Sequence, residues 1–175
     1  MPAIGLGQEP PDGEAMKHLP RGRHGRLLDA RLMLRSYAFL GLVEAAWAML
    51  MFFIVLHVGG WAYGQQLAAT APLYRGATGI TLVSVVFAQV ANLIGRRYER
   101  RSGLDGGLLR NPLFVIGIAL ELSFGYAALY WPPVSATLGT MPVAPWLVAL
   151  AALGAPLLFL ADLARKRLAS ARSAR

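Results

Sequence analysis

At 175 residues the chain has room for one domain, and 56% hydrophobic against 15% charged residues with a mean hydropathy of +0.49 is the balance of a membrane protein, since a soluble domain carries about 25% charge. The lack of cysteine excludes a disulfide framework, thiolate chemistry and Cys-based metal sites, and His18, His24 and His57 are too scattered to form a ligand set. The net charge of +8 does not point to nucleic acid, because the basic residues flank apolar runs and do not form a helical stripe with stacking aromatics.

Residues 1 to 35 are polar and irregular. EPPDGE cannot be a helix interior, because two prolines and a glycine remove donors and loosen the backbone. The basic stretch MKHLPRGRHGRLLDARLMLR follows, in which Asp29 could cap a short helix. The first long apolar run begins after residue 35, behind this segment, too late for a cleaved leader. Four apolar stretches then predict four transmembrane helices, at about residues 36–57, 77–95, 112–131 and 145–163. Each is close to the twenty or so residues that cross a hydrocarbon core of about 30 Å.

The first span carries one charge, Glu44, and a small-residue pair, Gly41 and Ala45, that lets another helix approach. The loop over residues 58–76 holds Trp61, Tyr63 and Tyr74, which suit the interfacial belt. The second span places Gln89 and Asn92 three residues apart, hence on one helix face. The third starts at Pro112, where a missing N–H costs nothing. In it Gly117, Glu121 and Gly125 recur every four residues, so the acid sits on a glycine stripe facing other helices. Residues 132–144 read as an uncharged loop. The fourth span contains Pro156, which predicts a kink. The basic tail over residues 164–175 is expected to fray.

Charge orients the chain. Six Lys/Arg precede the first span, five lie in residues 96–111 and five in the tail, while the opposite face holds Arg75 alone. The positive-inside rule makes the basic face cytoplasmic, with both termini there. The expected fold is therefore all-α, a polytopic membrane protein of four transmembrane helices over residues 36–163, in the cell (plasma) membrane, with basic cytoplasmic segments at both ends. Anionic lipid head groups are the expected contacts of the basic loops.

Glu44, Gln89, Asn92 and Glu121 are the polar groups at membrane depth. Ionisable groups there need a partner or a watery cavity, and carboxylate and amide oxygens are ligands for hard cations or stations for a proton. For the two amides, helix–helix adhesion of about 0.6–2 kcal/mol is an equally open reading. Glu121 favours a functional role. Glu44 lies closer to the basic face, so its reading is structural pairing or a place on the ion path. Asp162 reads as a surface partner for Arg165 and Lys166. SGLDGG lacks the lysine and strand of a phosphate loop, and no catalytic residue set appears.

Several stretches together resemble the C-terminal membrane region of P-type cation-transporting ATPases, in the branch of the sodium/potassium and calcium pumps. PAIGLGQEP followed by MKHLPR is similar to that family's segment after its sixth transmembrane helix, and RLLDARLMLRSYAFLGLVEA resembles the entry to its seventh. FAQVANL resembles its eighth, and RNPLFVIGIALELSFGYAALYWPP with PLLFLADLARKR looks like its ninth and tenth. The resemblance implies cation-binding roles for Gln89, Asn92 and Glu121, with Asn92 standing where some pumps have Asp. Glu44 stands where the sodium pump has Gln, so no role carries over. Tyr63-Gly64-Gln65 resembles the loop by which animal pumps hold their beta subunit, a partner not expected here. The chain lacks the phosphorylated Asp-Lys-Thr-Gly-Thr motif. The resemblance thus implies no cofactor and no enzymatic activity in this chain alone. ATP and Mg²⁺ would be used by the domains of the missing N-terminal portion, the expected partner, and the transported cation, not identified, would be the only metal. The alternatives from other classes are a stand-alone membrane interaction protein and a small cation or proton carrier, the latter disfavoured because no inverted repeat is visible.

Overall fold

The computed structural model describes residues 39–97 and 111–173, with side chains described through residue 167. The N-terminal segment with its expected Asp29 cap, and most of the 96–111 loop, lie outside these residues. The described residues form six helices: α1 Gly41–Val58, α2 Pro72–Gly95, α3 Pro112–Tyr130, the short α4 Pro132–Leu138, α5 Pro145–Ala152 and α6 Gly154–Ser173. Four helical segments are long and apolar enough to cross a membrane: α1, α2, α3, and α5 with α6 up to Arg167.

Prolines set the helix starts. α2, α3, α4 and α5 each carry one in their first turn, where the absent N–H has no intrahelical partner to lose. Asn111 adds a side-chain cap to α3, its Oδ1 accepting from Phe114 N at 3.1 Å. Pro72 draws the second span back to residue 72, so Arg75 and Tyr74 belong to the helix and the loop shortens. The stretch after Trp131 is not a plain loop, since Pro132 starts α4, which ends at Gly139 in the left-handed conformation (φ 69°).

α2 is the hub. It packs against α1, α3, α5 and α6 and is the most enclosed of the spans. Its buried positions are largely small: Gly76, Ala77, Gly79, Ser84, Ala88, Ala91 and Gly95. Small side chains let backbones approach where lipid tails supply no hydrophobic drive for association. At Gly79 an added methyl would meet Leu129 of α3 at 2.6 Å. Two apolar clusters line the hub. One joins Met51, Val55 and Leu56 of α1 to Ala77 and Ile80 of α2 and to Leu147 and Ala151 of α5, and the other joins Ala88 and Ala91 to Leu158 of α6. The hydroxyls of Thr78, Thr81 and Ser84 donate to the carbonyls of Tyr74, Ala77 and Ile80 one turn back, which satisfies them without water.

The break in the fourth span falls at Leu153, between α5 and α6. Pro156 explains the position. It has no N–H for the carbonyl of Ala152, four residues back, and its ring would strike that oxygen. Leu153 N turns instead to Leu150 O at 3.0 Å. Beyond the break the helix runs through the basic tail to Ser173.

The loop between α1 and α2 is closed by its own polar groups. Trp61 Nε1 donates to Gln65 O at 3.0 Å, and Gln65 Oε1 accepts from Ala62 N at 3.1 Å. Tyr63 is left almost wholly exposed. Arg75 ties this end of the bundle together by donating from Nε to Gly139 O at 3.0 Å while its own carbonyl accepts from Met141 N.

Candidate functional site

α1 and α2 form an antiparallel hairpin that brings Glu44 level with the last turns of α2. There Gln89 Nε2 donates to Glu44 Oε1 at 3.0 Å and Asn92 Nδ2 donates to Glu44 Oε2 at 3.1 Å. Each carboxylate oxygen thus has its own amide donor, the arrangement that stabilises a charge-assisted pair of bonds. The i, i+3 spacing of the two amides is what aims both at one carboxylate. The carbonyl oxygen of Asn92 is buried and makes no hydrogen bond among the described residues. Gln89 is exposed and Glu44 half-buried, so the cluster has an open side.

Glu121 is elsewhere. α3 runs antiparallel along a different face of α2. Gly125 lies against Val86, Leu129 against Gly79, and the guanidinium of Arg97 sits 5.4 Å from the centroid of the Phe114 ring. Counting between these contacts puts Glu121 at the depth of Ala88 to Val90. Gly117 and Gly125 of its stripe are buried against the bundle, and Glu121 itself is half-buried. It makes no hydrogen bond or salt bridge to another described residue.

A second charged cluster closes the same end of the bundle. Lys166 Nζ pairs with Asp162 Oδ2 at 2.9 Å and donates to Gly95 O, the last carbonyl of α2. Arg165 pairs with Asp162 Oδ1 at 2.6 Å. The expected surface pairing of Asp162 is therefore corrected. The partners are as expected, but Asp162 is 8% and Lys166 5% exposed. The reason is Gly95, whose missing side chain lets Asp162 come so close that a methyl there would lie 3.1 Å from Oδ2. Lys166 meets a carbonyl that the helix end leaves unsatisfied.

Gln89 and Asn92 are thus brought together, with Glu44 between them and Glu121 apart. Sequence reasoning underweighted Glu44. Depth was the available signal, for counting outward along both helices from the loop sets residue 44 opposite residues 89 to 92. Nothing in the sequence marked the burial of Lys166.

A helical membrane bundle with a carboxylate held by two amides between adjacent spans defines a multi-pass membrane protein with a polar site inside its apolar zone. Residues 1–168 match the family model described as the cation transporting ATPase C-terminus, and the chain belongs to that family. It is 29% identical over 180 residues to the potassium-transporting ATPase alpha chain 2 of Rattus norvegicus, covering 85% of this chain and 17% of the relative. To the potassium-transporting ATPase alpha chain 1 of Xenopus laevis it is 26% identical, covering 81% of this chain and 16% of the relative. The sodium/potassium-transporting ATPase subunit alpha-3 of Gallus gallus is 26% identical, with 83% of this chain and 17% of the relative covered. The chain spans less than a fifth of the length of these relatives. What it matches is the C-terminal membrane region of that family.

Proposed function

We propose that this domain supports the ion-binding helices of a P-type ATPase and lends polar groups to cation transport, in concert with an N-terminal portion that supplies the remaining helices and the ATP- and Mg²⁺-dependent chemistry. One observation carries the reading. Glu44, Gln89 and Asn92 meet at membrane depth with one side open. Polar groups on a membrane helix face a neighbouring helix or a watery path, because lipid offers them nothing. Glu121, half-buried at a similar depth on α3, is a separate station on the same route. The chain alone carries no phosphorylation chemistry. The concentration of Lys and Arg on one face favours an orientation with both termini in the cytoplasm.

Reassembly tests this. The chain is co-expressed with the N-terminal portion of a P-type ATPase that ends after its sixth transmembrane helix, and cation-dependent ATP hydrolysis is measured. Restored hydrolysis that neither part shows alone is expected, as is the absence of an acid-stable phosphoenzyme on the chain by itself. An acid-stable phosphoenzyme on the isolated chain would sink the reading. A complex that forms without cation-dependent hydrolysis would favour a membrane interaction protein instead. Orientation is open to single-cysteine labelling, for which the cysteine-free chain gives no background.

A further inference from the structure

The two ends of a carboxamide have nearly the same shape, so hydrogen bonding decides which end faces a neighbour. At Asn92 the neighbour is Glu44, and a carboxylate accepts but has no proton to give. Both Glu44 oxygens are taken, one by Gln89 Nε2 and one by Asn92 Nδ2. The Asn92 amide therefore shows α1 its N–H, and its oxygen turns away from α1. That oxygen is buried and makes no hydrogen bond among the described residues. An unpaired buried acceptor is costly, yet turning the amide over would set its oxygen against the carboxylate, acceptor to acceptor. Arg96 completes the arrangement. Gln89, Asn92 and Arg96 follow at spacings of three and four, so all three fall on the stripe of α2 that faces α1. Arg96 is exposed at the C-terminal cap of α2 and attracts the Glu44 carboxylate directly. The oxygens of Glu44 are thus spent on the amides and its charge on Arg96, a partner of the kind that an acid at this depth needs.

We propose that Glu44 is a positioning residue, an acceptor-only clamp that holds the Asn92 amide in one orientation and keeps Oδ1 turned away from α1. Glu44 is not itself a ligand. The clamp is a property of this chain alone, and the proposal rests on the cation-pump reading only for the use made of the Asn92 oxygen. The negative charge matters because it removes the choice. A glutamine at position 44 has both a donor and an acceptor, so it can meet either end of the Asn92 amide and leaves the orientation open. In acting through Asn92, Glu44 belongs with the outer partners that orient a ligand and so tune its affinity.

Side-chain amide NMR tests the clamp. Asn92 and Asn111 are the only asparagines of the sequence, so the full chain in lipid nanodiscs, labelled with ¹⁵N-asparagine, gives two side-chain NH₂ groups. Asn111→Ser, which keeps a helix cap, tells them apart. The wild type is expected to show one Asn92 NH₂ group with one proton moved downfield by the carboxylate. Glu44→Gln keeps the size of the side chain and is expected to lose that shift. An Asn92 signal unchanged in Glu44→Gln overturns the clamp, whatever becomes of the pump reading. The reassembled pump tests the use of the oxygen. The cation concentration for half-maximal ATP hydrolysis is expected to rise about tenfold in Glu44→Gln. It is expected to be no higher in Glu44→Gln with Asn92→Ala than in Asn92→Ala alone. A further rise in the double variant makes Glu44 a ligand in its own right and overturns the positioning role, as does an unchanged half-maximal concentration in Glu44→Gln. If reassembly restores no hydrolysis, the pump reading fails, and the Asn92 signal still decides the clamp.

Discussion

The indole Nε1 of Trp47 donates to the carbonyl of Ala151 at 3.1 Å, joining the first described helix to the last span across 104 positions of chain. The bond sits where the fourth span breaks between α5 and α6. Near the break, at Leu153, the Ala151 carbonyl becomes available to a donor from another helix. Gly154 clears the space, as a methyl there would lie 2.4 Å from the indole Cδ1 and Nε1.

Gly154→Ala should therefore force Trp47 out of place and destabilise the domain by about 1–3 kcal/mol, the range for overpacking. Trp47→Phe, which removes the donor together with part of the packed ring, should cost about 1–3 kcal/mol. Chemical unfolding in detergent micelles reads both. Pairing Gly154→Ala with Trp47→Leu should recover part of the loss, because the substitutions share one contact.

Glu44 and Asn92 should be coupled. Glu44→Ala strands both amide donors, and the double-mutant cycle with Asn92→Ala should give an interaction energy of about 0.6–2 kcal/mol, the range of interhelical hydrogen bonds in membranes. Glu44→Gln should be milder. A cycle of Glu121→Ala with Asn92→Ala should give about zero, since no described contact joins them.

The Asp162–Lys166 pair should behave as a buried pair. Asp162→Ala leaves the buried Lys166 ammonium without its carboxylate partner, and a loss of about 3–5 kcal/mol is expected. Replacing both with Leu and Met should restore most of it. The contrast between single and double variants in thermal unfolding distinguishes this from a surface pair worth about 0–1 kcal/mol.

Arg75 should matter for the loops. Arg75→Gln removes the donor to Gly139 O, which closes the left-handed end of α4. A loss of about 1.5–3 kcal/mol is expected for a bond made by a charged group, together with faster amide exchange at Met141, whose N–H binds the Arg75 carbonyl.

Hydropathy and length were enough to read four spans, Gln89 and Asn92 on one face, a break caused by Pro156, and the family through FAQVANL and its neighbours. These are local or nearly local quantities. A span is a sum over some twenty side chains, an i, i+3 pair follows from helix pitch, and a proline acts on its own turn. Helix bounds moved where prolines acted as starts, at Pro72 and Pro132.

Three things depended on the packing. Glu44 lies 45 and 48 positions from Gln89 and Asn92, and only the hairpin sets the three at one depth. Lys166 looked like one basic residue of a solvated tail, until Gly95 let α6 slide under the end of α2. Glu121 carried the stronger claim as an isolated intramembrane acid, while the carboxylate that the amides bind is Glu44. Composition and periodicity say what a helix must bury, whereas its partner is chosen by which small residues let backbones meet and at what depth.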